Sequence, residues 1–264
     1  MTDLPEFSPN RYDTSYKGEN MIAVVSPEHT RGKTCIAINL AYALARLKKN
    51  VLLFDAAKGM NNIKAQLGLQ QAPDLDKVVY GGASLNQIIT SYVKGRFDLI
   101  LSNSASAGLS TMSIGSLQIF GDDLNIISHN YDVAILDIES GQDASSDVLT
   151  GMCKTIIIVC ADTVSSLTRS YKMMRDIYAR YPYAAVAIII NSAASVGEGQ
   201  RAYADLAASA ERFLGRVPPL LGIVRQDSRI RDAIRSQTTI INRYPQAEAS
   251  ADIIAIAQRI LPQL

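Results

Sequence analysis

The sequence predicts an α/β fold, a doubly wound, mostly parallel sheet flanked by helices. Three observations predict it. Short continuous runs of Val, Ile and Leu recur along the chain, without the polar alternation of a strand that has one wet face. Longer segments between them bring apolar residues back at helical spacing. The two kinds of segment alternate, and such alternation builds parallel strands joined by right-handed helical crossovers.

Residues 1 to 20, MTDLPEFSPNRYDTSYKGEN, show no period and are rich in Pro, Ser, Asn and Asp, so they are expected to form a flexible arm. They have no positive start or apolar run, and no signal peptide is expected. Residues 21 to 264 are expected to form one domain, because no repeat or shift in composition divides them. Strands are expected at 22–25, 51–54, 99–101, 133–136, 155–159, 185–190 and 220–224. Amphipathic helices are expected between them, for example at 33–47, 165–179, 199–213 and 247–260.

The chain has 264 residues, 48% of them hydrophobic, enough for a large core. With 26 Lys and Arg against 25 Asp and Glu, the charge is balanced. That gives no electrostatic case for broad nucleic-acid or membrane binding. No apolar run approaches the roughly 20 residues of a spanning helix. Cys35, Cys153 and Cys160 lie in apolar stretches without metal or redox spacing, and are expected to be buried, reduced thiols of a cytoplasmic protein.

The chemistry concentrates in MIAVVSPEHTRGKTCIAINLAYALA, residues 21 to 45. It reads as a strand, a tight loop and a helix, with Gly32-Lys33-Thr34 at the helix mouth. Phosphate loops use this arrangement: backbone N–H groups and the helix N-terminus converge on phosphate, the lysine neutralises it, and the hydroxyl ligates magnesium. The loop lacks the usual opening glycine. Pro27 stands there without an N–H, and His29 and Thr30 add side chains where backbone must approach a ligand. On the residues alone, both a working nucleotide site and a remnant loop remain open.

These segments resemble the MinD/ParA family of deviant Walker-type P-loop ATPases, and within it the FlhG branch (also YlxH or FleN) that controls flagellar number and placement. The family loop K-G-G-x-G-K-T falls on Glu28-His29-Thr30-Arg31-Gly32-Lys33-Thr34. VLLFDAAKGMNN, from Val51, is similar to V-L-L-x-D-A-D-x-G-x-x-N. YDVAILDIESG resembles the Walker B strand and ends it at Asp137. CADTVSSLTRSYKMM and residues 207 to 234 match two later segments in order.

The resemblance implies nucleotide binding through Gly32, Lys33, Thr34, Cys35, Asp55 and Asn191, with Thr34 and Asp137 on Mg2+. It also marks departures. The lysine that reaches a partner's phosphates across an ATP-sandwiched dimer corresponds to Glu28, whose carboxylate repels a triphosphate. The second aspartate of D-A-D, which positions the attacking water, corresponds to Ala57, and its loss removes a contribution of about 10²–10⁴-fold. Ser192 replaces the arginine beside the adenine-contacting Asn191, and Arg225 replaces a proline of the adenine wall.

The resemblance therefore implies a cytoplasmic regulator of flagellar or polar assembly, at a cell pole or flagellar base. It would be a pseudo-ATPase that binds ATP or ADP with Mg2+ and hydrolyses it weakly or not at all. It would act through protein partners, an FlhF-like GTPase among them, as a homodimer or with an intact paralogue. An active ATP-dependent dimerisation switch and a nucleotide-independent scaffold stay open as alternatives. Residues 1 to 20 do not match the branch's partner-stimulating D-Q-A-x-x-L-R motif. DIIAIAQRILPQL, with Arg259 as its one basic residue, reads as a core-packing helix, so membrane binding is not carried over.

Smaller signals have plainer readings. His129 is expected to face solvent in a turn. Glu139 and Asp143 follow Asp137 where ligands bind, so either could aid a metal, but capping the next helix is the favoured expectation for both. Arg231 and Arg235 are expected on one solvated helical face.

Overall fold

The computed structural model describes residues 18–27, 32–56, 62–69, 73, 75–102, 108–139 and 143–263. In chain order the elements are β1 (Gly18–Val25), α1 (Lys33–Arg46), β2 (Val51–Ala56), α2 (Ile63–Leu67), α3 (Asp76–Val79), α4 (Leu85–Ile88), β3 (Thr90–Tyr92) and β4 (Phe97–Ile100). They continue with α5 (Ile114–Ser128), β5 (Val133–Ile138), α6 (Ala144–Met152), β6 (Cys153–Cys160), α7 (Val164–Arg180), β7 (Ala185–Ala193) and α8 (Val196–Leu214). The last are β8 (Leu220–Arg225), α9 (Ser228–Arg235), α10 (Ile240–Arg243) and α11 (Glu248–Ile260).

The strands form one sheet in the order β3-β4-β2-β5-β1-β6-β7-β8. All pairs are parallel except β3 with β4. The predicted fold class is therefore the observed one. Each of the seven expected strands is present, and their continuous apolar runs have a direct cause. In β1, Ile22 and Val24 face one core, under α1 and α11, while Met21, Ala23 and Val25 face the other, under α5 to α8. Both faces are dry, so polar alternation has no place.

Two expectations need correction. β1 begins at Gly18, so residues 18 to 20 belong to the sheet and not to the expected arm. Gly18 pairs with Cys153, and the Asn20 amide donates to the Ser128 and Tyr131 carbonyls at 2.7 and 2.9 Å. A polar side chain pinned to two carbonyls carries no apolar signal, which is why periodicity misses it. The rest of the arm, residues 1–17, lies outside the described residues. An eighth strand, the antiparallel edge β3, was not expected, since three residues are too few for a period.

The order of strands sets where a ligand can sit. The chain leaves β1 toward β2 on one side, and later crosses to β6 on the other, so the C-terminal end of β1 is a switch point with an open crevice above it. At the far edge, α11 lies directly on β8 because Gly222 has no side chain. A Cβ there would overlap Ile256 Cγ1. Gly222→Ala should therefore lower unfolding free energy by about 1–3 kcal/mol as α11 is pushed off the sheet. A urea unfolding curve checks this, and an unchanged midpoint would contradict the close contact.

Candidate functional site

The crevice is built from the C-terminal ends of β1, β2, β5 and β7 and the N-terminus of α1. Gly32 begins α1 with φ 79°, in the left-handed region where glycine carries no steric cost. A Cβ at that position would also fall 2.7 Å from Asn191 Nδ2 at the end of β7. Two independent constraints thus require glycine here. Gly32 offers α1 no side-chain cap, and no acidic residue lies in the first turn. The helix N-terminus keeps the positive character that attracts an anion.

Lys33 turns back under this N-terminus. Its Nζ lies 2.6 Å from Asp137 Oδ1, with the two side chains 9% and 0% exposed. A charge-assisted bond this short holds both rotamers. The other Asp137 oxygen, Oδ2, is buried and has no hydrogen-bond partner among the described residues. Asp137 is the register partner of Asp55 on β2, so the parallel ladder sets two buried carboxylates on neighbouring strands. Asp55 Oδ2 accepts from the Ile63 N–H at 3.1 Å and anchors the start of α2. Thr34, half-buried, stands in the first turn of α1 beside Lys33.

Cys35 turns inward. Its thiol lies 3.5 Å from Asn39 Nδ2, and burial pushes its pKa up to about 12. Any contact it makes with an anion runs through its backbone N–H. Asn39 in turn accepts from the Ile240 N–H at 3.1 Å, tying α1 to α10. Asn191 is buried at the end of β7. Ser192 follows it exposed, with φ 62°, at a shift in register between β7 and β8.

Gly32, Lys33, Thr34, Asp55, Asp137 and Asn191 come together at the C-terminal end of the sheet from four separate segments. Glu28, His29 and Ala57 lie outside the described residues. Asp143 caps α6 as expected, accepting from Ser146 N at 2.9 Å. His129 ends α5 exposed, as expected. Arg231 and Arg235 are both exposed. α11 buries Ile253, Ile256 and Ile260, as the core-packing reading requires, and among the described residues no helix is long and apolar enough to cross a membrane.

Sequence reasoning missed the partners of Arg225. Its Nε and Nη2 meet Asp252 Oδ2 and Oδ1, both at 2.9 Å, and its Nη1 meets Glu248 Oε1 at 2.6 Å. Both carboxylates come from α11, too far along the chain for local spacing to reveal them.

Residues 22–240 match the family model described as the CobQ/CobB/MinD/ParA nucleotide binding domain. The chain belongs to this family. It is 28% identical over 244 residues to the antiactivator FleN of Pseudomonas aeruginosa, covering 91% of this chain and 85% of that one. It is 24% identical over 259 residues to the flagellum site-determining protein YlxH of Helicobacter pylori, covering 97% and 87%. Its fold superposes on the septum site-determining protein MinD of Pyrococcus horikoshii, solved with Mg-ADP, with a TM-score of 0.77 at 20% identity, over 91% and 95% of the chains. The resemblance to MinD/ParA proteins of the FlhG branch is thus confirmed.

The family's magnesium nucleotide fits the residues present. A buried carboxylate oxygen without a partner, beside a lysine that is followed along α1 by a threonine, suits a hard cation next to an anion. No cluster of three His, Cys, Asp or Glu occurs among the described residues, so the metal would rest on one or two protein oxygens and on phosphate.

The buried pair yields a stability prediction. Asp137→Ala should cost about 3–5 kcal/mol, because Lys33 is left buried without a counter-charge. Lys33→Met with Asp137→Ala should cost less than the single change, in a double-mutant cycle read by denaturant unfolding. A simple sum of the two single effects would contradict the coupling.

Proposed function

We propose that this chain is a MinD/FlhG-like regulator of flagellar or polar assembly. In this reading it binds ATP or ADP with Mg2+ but hydrolyses ATP weakly or not at all. The observation that carries the reading is the Lys33–Asp137 pair under an uncapped α1, with Asp137 Oδ2 left for a cation. Phosphate would take Lys33 and the first-turn N–H groups, and Asp137 with Thr34 would hold the magnesium. The metal supplies charge neutralisation of the phosphates when bound. Asn191 would contact the nucleoside.

Poor turnover is supported by the sequence at two positions. Ala57 offers no group to orient water, and Glu28 places a negative charge where an ATP-sandwiched dimer needs a positive one. A site that binds but barely turns over signals through the surface it reshapes, so the output would be a protein partner. A FlhF-like GTPase is one such partner, and a second copy or an intact paralogue is another. The flagellar assignment draws on the names of FleN and YlxH and on the likeness to them.

Calorimetric titration with Mg-ATP and Mg-ADP, beside a phosphate-release assay, tests the reading. Saturable binding is expected, weakened roughly 10- to 100-fold in Lys33→Ala by loss of a charged contact, with phosphate release near the level of buffer. Sustained turnover abolished by Lys33→Ala would instead establish an active ATPase switch. No heat at millimolar nucleotide would leave a scaffold.

A further inference from the structure

The parallel strands begin at one end of the sheet, and α7 and α8 run back to that end side by side. Between them lies a groove of about 310 Å³, with Val164, Leu167 and Tyr171 on α7 facing Leu206 and Phe213 on α8. Its rim is open, since Val164 is 80% and Phe213 63% exposed. The Tyr171 and Phe213 rings meet edge to face, with centroids 6.2 Å apart. Arg212 lies over the Phe213 ring at 5.1 Å, and Arg216 over the Tyr178 ring at 5.3 Å. Neither guanidinium pairs with a carboxylate among the described residues. Among the described residues that line the groove, the one carboxylate, Asp205, stands two turns back along α8 from Arg212. The Phe213 end is therefore aromatic and positive, and it fits an acidic segment with apolar anchors.

The chain itself carries such a segment within reach. Residues 1–17 precede Gly18, and the first ten, MTDLPEFSPN, hold Asp3 and Glu6 and no Lys, Arg or His. Pro5 and Pro9 favour an extended helix of three residues per turn. That period sets Leu4 and Phe7 on one face, Asp3 and Glu6 on a second, and Pro5 and Ser8 on a third. Gly18 stands at the end where the parallel strands begin and pairs with Cys153 on β6. Just before Cys153, Gly151 lies against Tyr181 at the end of α7. β6 and β7, which α7 and α8 cover, are the next two strands beyond β1, so the groove lies about 10 Å to the side of Gly18. The stretch from Gly18 back to Phe7 spans up to about 36 Å when extended.

We infer that residues 1–10 dock in the α7–α8 groove of their own domain, with Phe7 against Tyr171 and Phe213, and Asp3 and Glu6 toward Arg212 and Arg216. Leu4, about 9 Å farther on, reaches Val164 and Leu167. Aromatic-lined grooves take proline-restrained segments in this way, because little conformational freedom is left to lose. The short tether holds the segment at a millimolar effective concentration, so two apolar anchors and two ion pairs suffice. Any other protein that uses this groove must first displace the arm.

The test puts spin labels on the full chain through Ser8→Cys and Ala208→Cys, and reads their separation by pulsed electron resonance. Cys35, Cys153 and Cys160 are buried, so the labels go to the introduced thiols. Ser8 belongs to the face with neither anchor nor charge, and Ala208 is exposed on α8 outside the groove. A single narrow distance is expected, and it should be lost to a broad distribution in Phe7→Asp and in Phe213→Asp. Phe7→Asp decides the matter if Phe213→Asp does not fold, which thermal unfolding reports. A broad distribution without either change overturns the inference and leaves the groove to another protein. A narrow distance that survives Phe7→Asp also overturns it, because the arm is then held elsewhere. A narrow distance that disappears when labelled chain is diluted with unlabelled chain assigns the groove to a second copy's arm, and overturns docking within one chain.

Discussion

The buried contact between Lys33 and Asp137 is the constraint on which the rest of the site depends. It joins the first turn of α1 to the end of β5 across 104 residues of sequence. Both charges are out of water, so neither can stay there without the other or a replacement of equal charge. That condition ties helix to sheet. It also defines the ligand that could dissolve the tie, one that brings an anion to Lys33 and a cation to Asp137 at the same time.

The surrounding backbone is arranged for that exchange. Gly32 starts α1 in the left-handed conformation and so presents the helix N-terminus without a capping side chain. The parallel register sets Asp55 level with Asp137, so two buried carboxylates end neighbouring strands. Asp55 meanwhile holds the Ile63 N–H and thereby the start of α2, which links the same charges to the segment after β2.

The fold was legible because burial on both faces of a parallel sheet leaves a simple trace: unbroken apolar strands between amphipathic helices. β3 left none, being three residues at an edge, and the N-terminal extension of β1 left none, because Asn20 is held by carbonyls. Gly32, Lys33 and Thr34 were legible as a local motif. Asp55, Asp137 and Asn191 carried no such motif of their own, and it was resemblance to a family that singled them out. Arg225 was visible only as a departure from that family. What it does instead depends on Asp252 and Glu248, an ion-pair network assembled by packing α11 on β8 through the gap at Gly222. No periodicity encodes a contact of that kind.

In the proposed function, Glu28 and Ala57 weigh against turnover and the Lys33–Asp137 frame weighs for binding. A crystal structure of the chain grown with saturating Mg-ATP weighs them most directly. Lys33 Nζ is expected to leave Asp137 for phosphate oxygens, and Asp137 to turn to the magnesium. A crevice without nucleotide, in which Lys33 still rests on Asp137, would contradict it.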